Sequence, residues 1–138
     1  MIKHVFFFPE IVAKQIEPLN NVALISISDG YKVELKNWGI KLLRLYFHDL
    51  SGPLEGYVHF KRNHAIQILK FLKYIEAFEH QVDTIYVHCH AGISRSAGVA
   101  LFIADKYDIK KFNRKRADLY NRLVYSTLMK VDNAGVVQ

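Results

Sequence analysis

The chain carries one cysteine, three prolines and a single tryptophan among 138 residues, and each scarcity removes a class of explanation. With Cys89 alone there is no intramolecular disulfide, which fits a reducing compartment, and no second thiol to resolve an oxidised Cys89. A cysteine pair with zinc-site spacing is missing too. The seven histidines do not repair this, because His88-Cys89-His90 leaves no usual chelating spacing, so no metal and no cofactor is expected. Long apolar runs are also lacking. Val5-Phe6-Phe7-Phe8 stops at Pro9, too short for a signal peptide or a membrane span, and the expected location is the cytoplasm. There is no internal repeat, low-complexity segment or Gly/Ser linker, so the chain reads as one domain over residues 1–131 with a flexible tail over 132–138. Acidic residues are outnumbered 13 to 19, a net charge of +6. That balance favours anionic partners and speaks to association rather than to chemistry.

What is present is concentrated around the one cysteine. Residues 88 to 98 read His-Cys-His-Ala-Gly-Ile-Ser-Arg-Ser-Ala-Gly. Before them, Thr84-Ile85-Tyr86-Val87 is β-branched and aromatic, as a buried strand should be. After them, Ala97 to Ile103 is apolar at nearly every position and reads as a buried helix. A strand therefore delivers Cys89 onto a short loop that opens a helix. The first backbone N–H groups of a helix are unpaired and carry partial positive charge, which makes an anion cradle. A cysteine there, beside the guanidinium of Arg95, is expected to be a thiolate at neutral pH. A nucleophile inside an anion site is what phosphoryl transfer through a cysteinyl-phosphate requires. Arg95 can grip two phosphoryl oxygens in a bidentate fork that lysine cannot copy.

The rest of the chain supplies a mixed set of elements. Strands are expected at Val5–Phe8, Val22–Ser28, Leu42–Phe47 and Thr84–His88, and a short helix from Pro9-Glu10 through Ile16. Ala65, Ile68, Leu69, Leu72, Ile75 and Phe78 keep helical spacing from Arg62 to Phe78. Further helices are expected at Ser94–Lys106, Lys110–Tyr120 and Asn121–Lys130, and His48 to Tyr57 is loop chemistry with Gly52, Pro53 and Gly56. The pattern gives the α/β class, an open sheet with the nucleophile loop beyond a strand's carboxyl end.

The stretch Val87-His88-Cys89-His90-Ala91-Gly92-Ile93-Ser94-Arg95-Ser96-Ala97-Gly98 resembles the signature of the cysteine-dependent protein tyrosine phosphatase superfamily, in its compact dual-specificity-like branch. The resemblance implies a central four- or five-stranded, mostly parallel sheet with helices on both faces. It implies Cys89 as nucleophile and the amides of His90, Ala91, Gly92, Ile93, Ser94 and Arg95 as the phosphate cradle. Ser96 would donate a hydrogen bond to the sulfur as it leaves, and His88 would tune the loop from below. Ester cleavage also needs an acid for the leaving oxygen, in the family an aspartate on an upstream loop. Asp49, at a strand end opening the Gly/Pro loop, fits; Asp29 and Glu55 are its rivals. The gap from Asp49 to Cys89 is longer than usual in compact members.

The implied activity is a metal-independent phosphomonoester hydrolase acting on phosphotyrosine and on phosphoserine or phosphothreonine in proteins or peptides, with phosphate- or sulfate-type anions bound at the same site. The basic run Lys106, Lys110, Lys111, Arg114, Lys115 and Arg116 is either a solvated face or a nucleic-acid footprint. Alternatives are an RNA 5′-phosphate or phosphoinositide phosphatase of the same superfamily, and a phosphate-binding module that no longer turns over. Sulfur transfer and arsenate reduction fit less well, because those enzymes usually carry another frame or further cysteines.

Overall fold

The computed structural model describes residues 1–77 and 81–137. Phe78, the last apolar residue of the helix expected from Arg62, and Gln138, the end of the expected tail, lie outside the described residues. Strands β1 (His4–Pro9), β2 (Val22–Ser28), β3 (Leu42–Tyr46) and β4 (Thr84–Cys89) form one all-parallel sheet in the order β1-β4-β2-β3. The helices are α1 (Glu10–Ala13), α2 (Arg62–Glu76), α3 (Arg95–Lys106) and α4 (Arg122–Asn133), with a 3-10 turn at Gly39–Lys41. Pro9 stands before α1 as its N-cap, and α1 ends three residues short of the expected Ile16.

The two inner strands are covered on both faces, which is why their sequences are almost unbroken runs of apolar and small residues. Every residue of β2 is buried. The period of two divides each strand between two cores. Ala23, Ile25 and Ile27 join Ile85, Val87 and Cys89 in the larger core, under α2, α3 and α4. Val22, Leu24 and Tyr86 face the other way, onto Trp38, Leu35, Leu42 and Ile16. The sheet is therefore not flanked evenly. The long helices share one face, and the segment around Trp38 covers the other.

Each long helix presents the stripe its sequence predicts. Ala65, Ile68, Leu69, Leu72 and Ile75 of α2 are buried, as are Val124, Leu128 and Val131 of α4. Helix α3 is buried from Arg95 to Ala104, between the sheet and α4. Gly98 lets those two helices approach. A Cβ there would lie 2.9 Å from the Asn121 carbonyl oxygen and 3.1 Å from Val124 Cβ.

Residues 110–120 are not the expected helix. They form a chain of turns, with i→i+3 hydrogen bonds from Phe112 to Ile109, Ala117 to Arg114, Asp118 to Lys115 and Tyr120 to Ala117. Two competing interactions explain it. The Asn113 side chain takes the Arg116 N–H at 3.1 Å, offering the backbone an alternative to a helix. Phe112 packs on Phe7, and Arg116 lies over the Phe7 ring while donating to its carbonyl oxygen at 2.6 Å, so the segment is drawn out along β1. At the other end of the chain α4 includes Asp132 and Asn133, and Asp132 pairs with Lys106 at 3.1 Å.

In an all-parallel sheet the carboxyl ends of the strands share one edge, where open α/β sheets bind their ligands. Asp29 follows β2, Asp49 follows β3, and Cys89 ends β4.

Candidate active site

Cys89 is the last residue of β4, buried, with its Sγ 3.1 Å from the Ser96 Oγ. The strand's alternation sends this side chain toward the helix face, and Ser96 lies in the first turn of α3, so strand end and helix start meet at the sulfur. Ser94, not Ser96, occupies the N-cap position. Its hydroxyl makes no cap bond and instead donates to Asp49 Oδ1 at 2.7 Å. None of the N–H groups of residues 91–95 has an acceptor among the described residues. An unpaired set of donors at a helix start is able to hold an anion.

The loop is seated on the end of β1. Pro9 is in register with Cys89, and Glu10 N–H donates to the His90 carbonyl at 3.2 Å. Gly92 has a φ of +68° and lies directly against this junction. A Cβ on it would sit 2.3 Å from Pro9 N and 2.5 Å from the Phe8 carbonyl carbon. Gly92→Ala would therefore combine a left-handed backbone with a backbone clash. It is expected to lower stability by about 1–3 kcal/mol and to distort the cradle. Denaturant unfolding and phosphate binding check this; a variant matching wild type in both would show that the loop has room.

Below the loop, His88 faces the smaller core. The register places Ser26 opposite His88, and Ser26 Oγ lies 2.6 Å from His88 Nε2. Burial holds His88 below the ordinary histidine value of 6.5, and burial does the same to His64, whose Nδ1 accepts from Lys61 N–H. Burial favours the neutral form of both rings in the folded state, whereas an unfolded chain titrates them near 6.5. Lowering the pH therefore protonates the unfolded state first, and stability is complete above that value and lost below it. The denaturant midpoint is expected to fall as the pH drops below about 6.5, less steeply in His88→Gln. A midpoint that does not fall there would contradict neutral burial.

Arg95 is buried, and both of its protein contacts use one nitrogen. Its Nη1 donates to Asp29 Oδ1 at 2.5 Å and to the Phe47 carbonyl at 2.8 Å. Nε and Nη2 bond to no described residue, so one edge of the guanidinium is held and the other is free for a bidentate partner. Asp29, a rival for the acid, is thus tied to Arg95. Glu55, the other rival, is exposed in the turn of residues 54–57 and makes no side-chain bond to a described residue.

Asp49 is carried by a loop that His48 and Val58 close through two bonds, His48 N–H to the Val58 carbonyl at 2.6 Å and Val58 N–H to His48 Nδ1 at 3.0 Å. Its Oδ1 accepts from Ser94 and, at 2.8 Å, from the Asn121 side-chain amide. Oδ2 has no partner among the described residues. A cavity of about 450 Å³ opens beside it, lined by Leu50, Ser51, Ser94, Tyr120, Asn121, Arg122 and Leu123 as well as Asp49 itself.

Sequence reasoning missed several members of this arrangement. Asn121 carries a legible signal as a helix N-cap, but nothing in the sequence links it to Asp49. Glu10 is buried at the start of α1 and accepts the Tyr31 hydroxyl at 2.6 Å, a bond that, with burial, pushes Tyr31 up to about 12. His90, exposed on the rim, has its Nδ1 3.9 Å from the same carboxylate. Ile93 is also exposed there.

Half of the basic run is ion-paired within the chain. Lys106 pairs with Asp132, Lys110 with Asp108 and Arg114 with Asp105, while Arg116 is held by Phe7. Lys111, Lys115 and Arg116 make no ion pair to a described residue. Among the described residues no cluster of three His, Cys, Asp or Glu side chains could hold a metal ion, and no helix is long and apolar enough to cross a membrane.

Solved structures with the same architecture include the PTP-2 phosphatase of Cydia pomonella, at a TM-score of 0.53 and 19% identity, covering 94% of this chain and 83% of that one. The human tyrosine phosphatase-like serine/threonine/tyrosine-interacting protein aligns at a TM-score of 0.55 and 15% identity, covering 96% and 93%. PTPMT1 aligns at 0.55 and 15%, covering 97% and 95%. The chain has the protein tyrosine phosphatase fold. No family model matches its sequence, and no curated protein does. At these identities the likeness is one of fold. It extends over almost the whole chain.

Proposed function

We propose that the chain is a metal-independent phosphomonoester hydrolase that works through a cysteinyl-phosphate on Cys89 and acts on phosphotyrosine, and on phosphoserine or phosphothreonine, in proteins or peptides. The observation that carries the reading is the convergence on one loop. The Cys89 sulfur, the free edge of Arg95 and the unpaired N–H groups of 91–95 share the segment to which Asp49 is bound through Ser94 at 2.7 Å. A phosphate reader would need the cradle and Arg95. It would have no use for a cysteine aligned with a serine donor, or for a carboxylate tied to the loop.

The chemistry follows from these positions. The Cys89 thiolate attacks phosphorus as the Arg95 fork and the loop N–H groups hold the phosphoryl oxygens, whose charge they stabilise through the transition state. The S–P bond forms and the P–O bond to the leaving group breaks, while Asp49 transfers its proton to the leaving oxygen. Asp49, now a carboxylate, takes a proton from water. That water attacks phosphorus, the S–P bond breaks, and the Ser96 hydroxyl donates to the departing thiolate. Inorganic phosphate leaves. The leaving group lies on the Asp49 side, in the cavity walled by Leu50, Tyr120 and Leu123, where a phenyl ring finds apolar and aromatic contact. Phosphatase is also what the name of one of the structural neighbours says of that protein.

The test is phosphate release from phosphotyrosine and phosphoserine peptides, with EDTA present, by wild type and Asp49→Asn. The variant is expected to lose roughly 10²–10⁴-fold on these poor leaving groups, and far less on an aryl phosphate whose phenol leaves without a proton. Equal losses on both would remove Asp49 from the acid's role. Absence of turnover in wild type on every ester would reduce the protein to a binding module.

A further inference from the structure

Asn121 is the residue at which the parts of the site are joined. It caps α4, its Oδ1 accepting the Val124 N–H at 3.0 Å. Its side-chain N–H₂ donates to Asp49 Oδ1 at 2.8 Å and to the Leu50 carbonyl at 3.0 Å. Its backbone N–H donates to the Ser94 carbonyl at 2.9 Å, in the cradle itself. The residue is buried, at 8% exposure. The orientation of the amide is fixed by chemistry, since the reverse would set its oxygen against two acceptors and its nitrogen against a donor.

We infer that Asn121 is a positioning residue for Asp49. With Oδ1 clamped between Asn121 and Ser94, the carboxyl group cannot rotate freely, and Oδ2 is left as the atom that carries the proton toward the leaving oxygen. The Leu50 bond holds the backbone immediately after Asp49, so the same amide orients both the carboxyl group and its loop. Because Asn121 also binds the Ser94 carbonyl, the acid and the phosphate cradle keep one spacing, referred to the start of α4. This rests on the reading of Asp49 as general acid given above. Asn121 touches no reacting atom; it acts through Asp49.

The variant Asn121→Ser separates this role from capping. Serine keeps a side-chain acceptor for the start of α4 but cannot reach Asp49 and Leu50 with an N–H₂. With a phosphotyrosine peptide, kcat is expected to fall roughly 10–100-fold while KM changes less than about twofold, the loss expected when a catalytic group is held about 1 Å out of place. With p-nitrophenyl phosphate, whose leaving group needs little proton assistance, kcat should stay within a few-fold of wild type. In an Asp49→Asn background the substitution should cost nothing further on the peptide, because the group it positions is already gone. If Asn121→Ser fails to fold, Asn121→Thr keeps the cap acceptor, removes the donors without adding a charge beside Asp49, and should give the same split. A loss equal on both substrates, or one that persists in the Asp49→Asn background, overturns the inference while leaving the phosphatase reading intact. Failure of wild type to turn over either substrate removes that reading and the inference with it.

Discussion

Cys89→Ser is expected to abolish turnover while binding inorganic phosphate at least as tightly as wild type. The two halves have separate causes. The sulfur at the end of β4, 3.1 Å from Ser96 Oγ, is the only thiol in the chain, and no other nucleophile on the loop can form the intermediate. Removing a nucleophile costs on the order of 10⁶-fold in kcat in enzymes where it has been measured, so the residual rate should lie near background. Binding depends on other atoms, the free edge of Arg95 and the N–H groups of residues 91–95. In the proposed mechanism a thiolate would stand next to the phosphate dianion, a repulsion that a neutral hydroxyl relieves. Calorimetry with phosphate, beside the peptide assay, checks both halves. Retained turnover would require another nucleophile, and lost binding with retained fold would mean that Cys89 holds the loop's shape.

Arg95→Lys is expected to fail in both binding and catalysis, by about 10²–10³-fold in kcat on the scale of a lost oxyanion donor. The guanidinium uses Nη1 for Asp29 and Phe47 and presents its other edge as a planar pair of donors. An ammonium is a point charge. It can satisfy Asp29 or the phosphate, but it cannot offer two parallel N–H bonds to one while held by the other. Asp29→Asn should be milder, a few-fold, because it replaces a charge-assisted bond with a neutral one at a half-exposed carboxylate. The order Arg95→Lys well below Asp29→Asn follows from the division of labour between the two edges. An Asp29→Asn variant as damaged as Asp49→Asn would instead mean that Asp29 serves in proton transfer.

Much of this was legible before any coordinates. The strand–loop–helix around Cys89 is written in consecutive residues, with Ile85 and Val87 alternating into the core and Ala97 to Ile103 buried all round. Periodicity located α2, which buries a stripe whose spacing the sequence must keep, whereas β2 reads as a nearly unbroken apolar run because both its faces are buried. The run 110–120 misled for a different reason. Ile109, Phe112, Ala117 and Tyr120 do fall on one helical stripe, but the shape of the segment is set by Phe7, far away in sequence. The acid's setting was half legible. A strand-end aspartate before Gly52 and Pro53 marks a loop, and it is held 45 residues from Ser94 and 72 from Asn121. Bonds of that reach leave no periodic trace in one sequence. The same holds for Asp29, whose bond to Arg95 spans 66 residues.

The account stands on a phosphoryl group passing through the Cys89 sulfur, and acid quenching of the reaction with a labelled phosphotyrosyl peptide tests that most directly. Mixing enzyme and substrate for milliseconds, stopping in acid and mapping the label should place it on the peptide containing Cys89, with none in Cys89→Ser. It should accumulate further in Asp49→Asn with p-nitrophenyl phosphate, where formation needs no acid but hydrolysis lacks its base. Turnover with label on another residue, or with no covalent label at any time, would contradict the central claim.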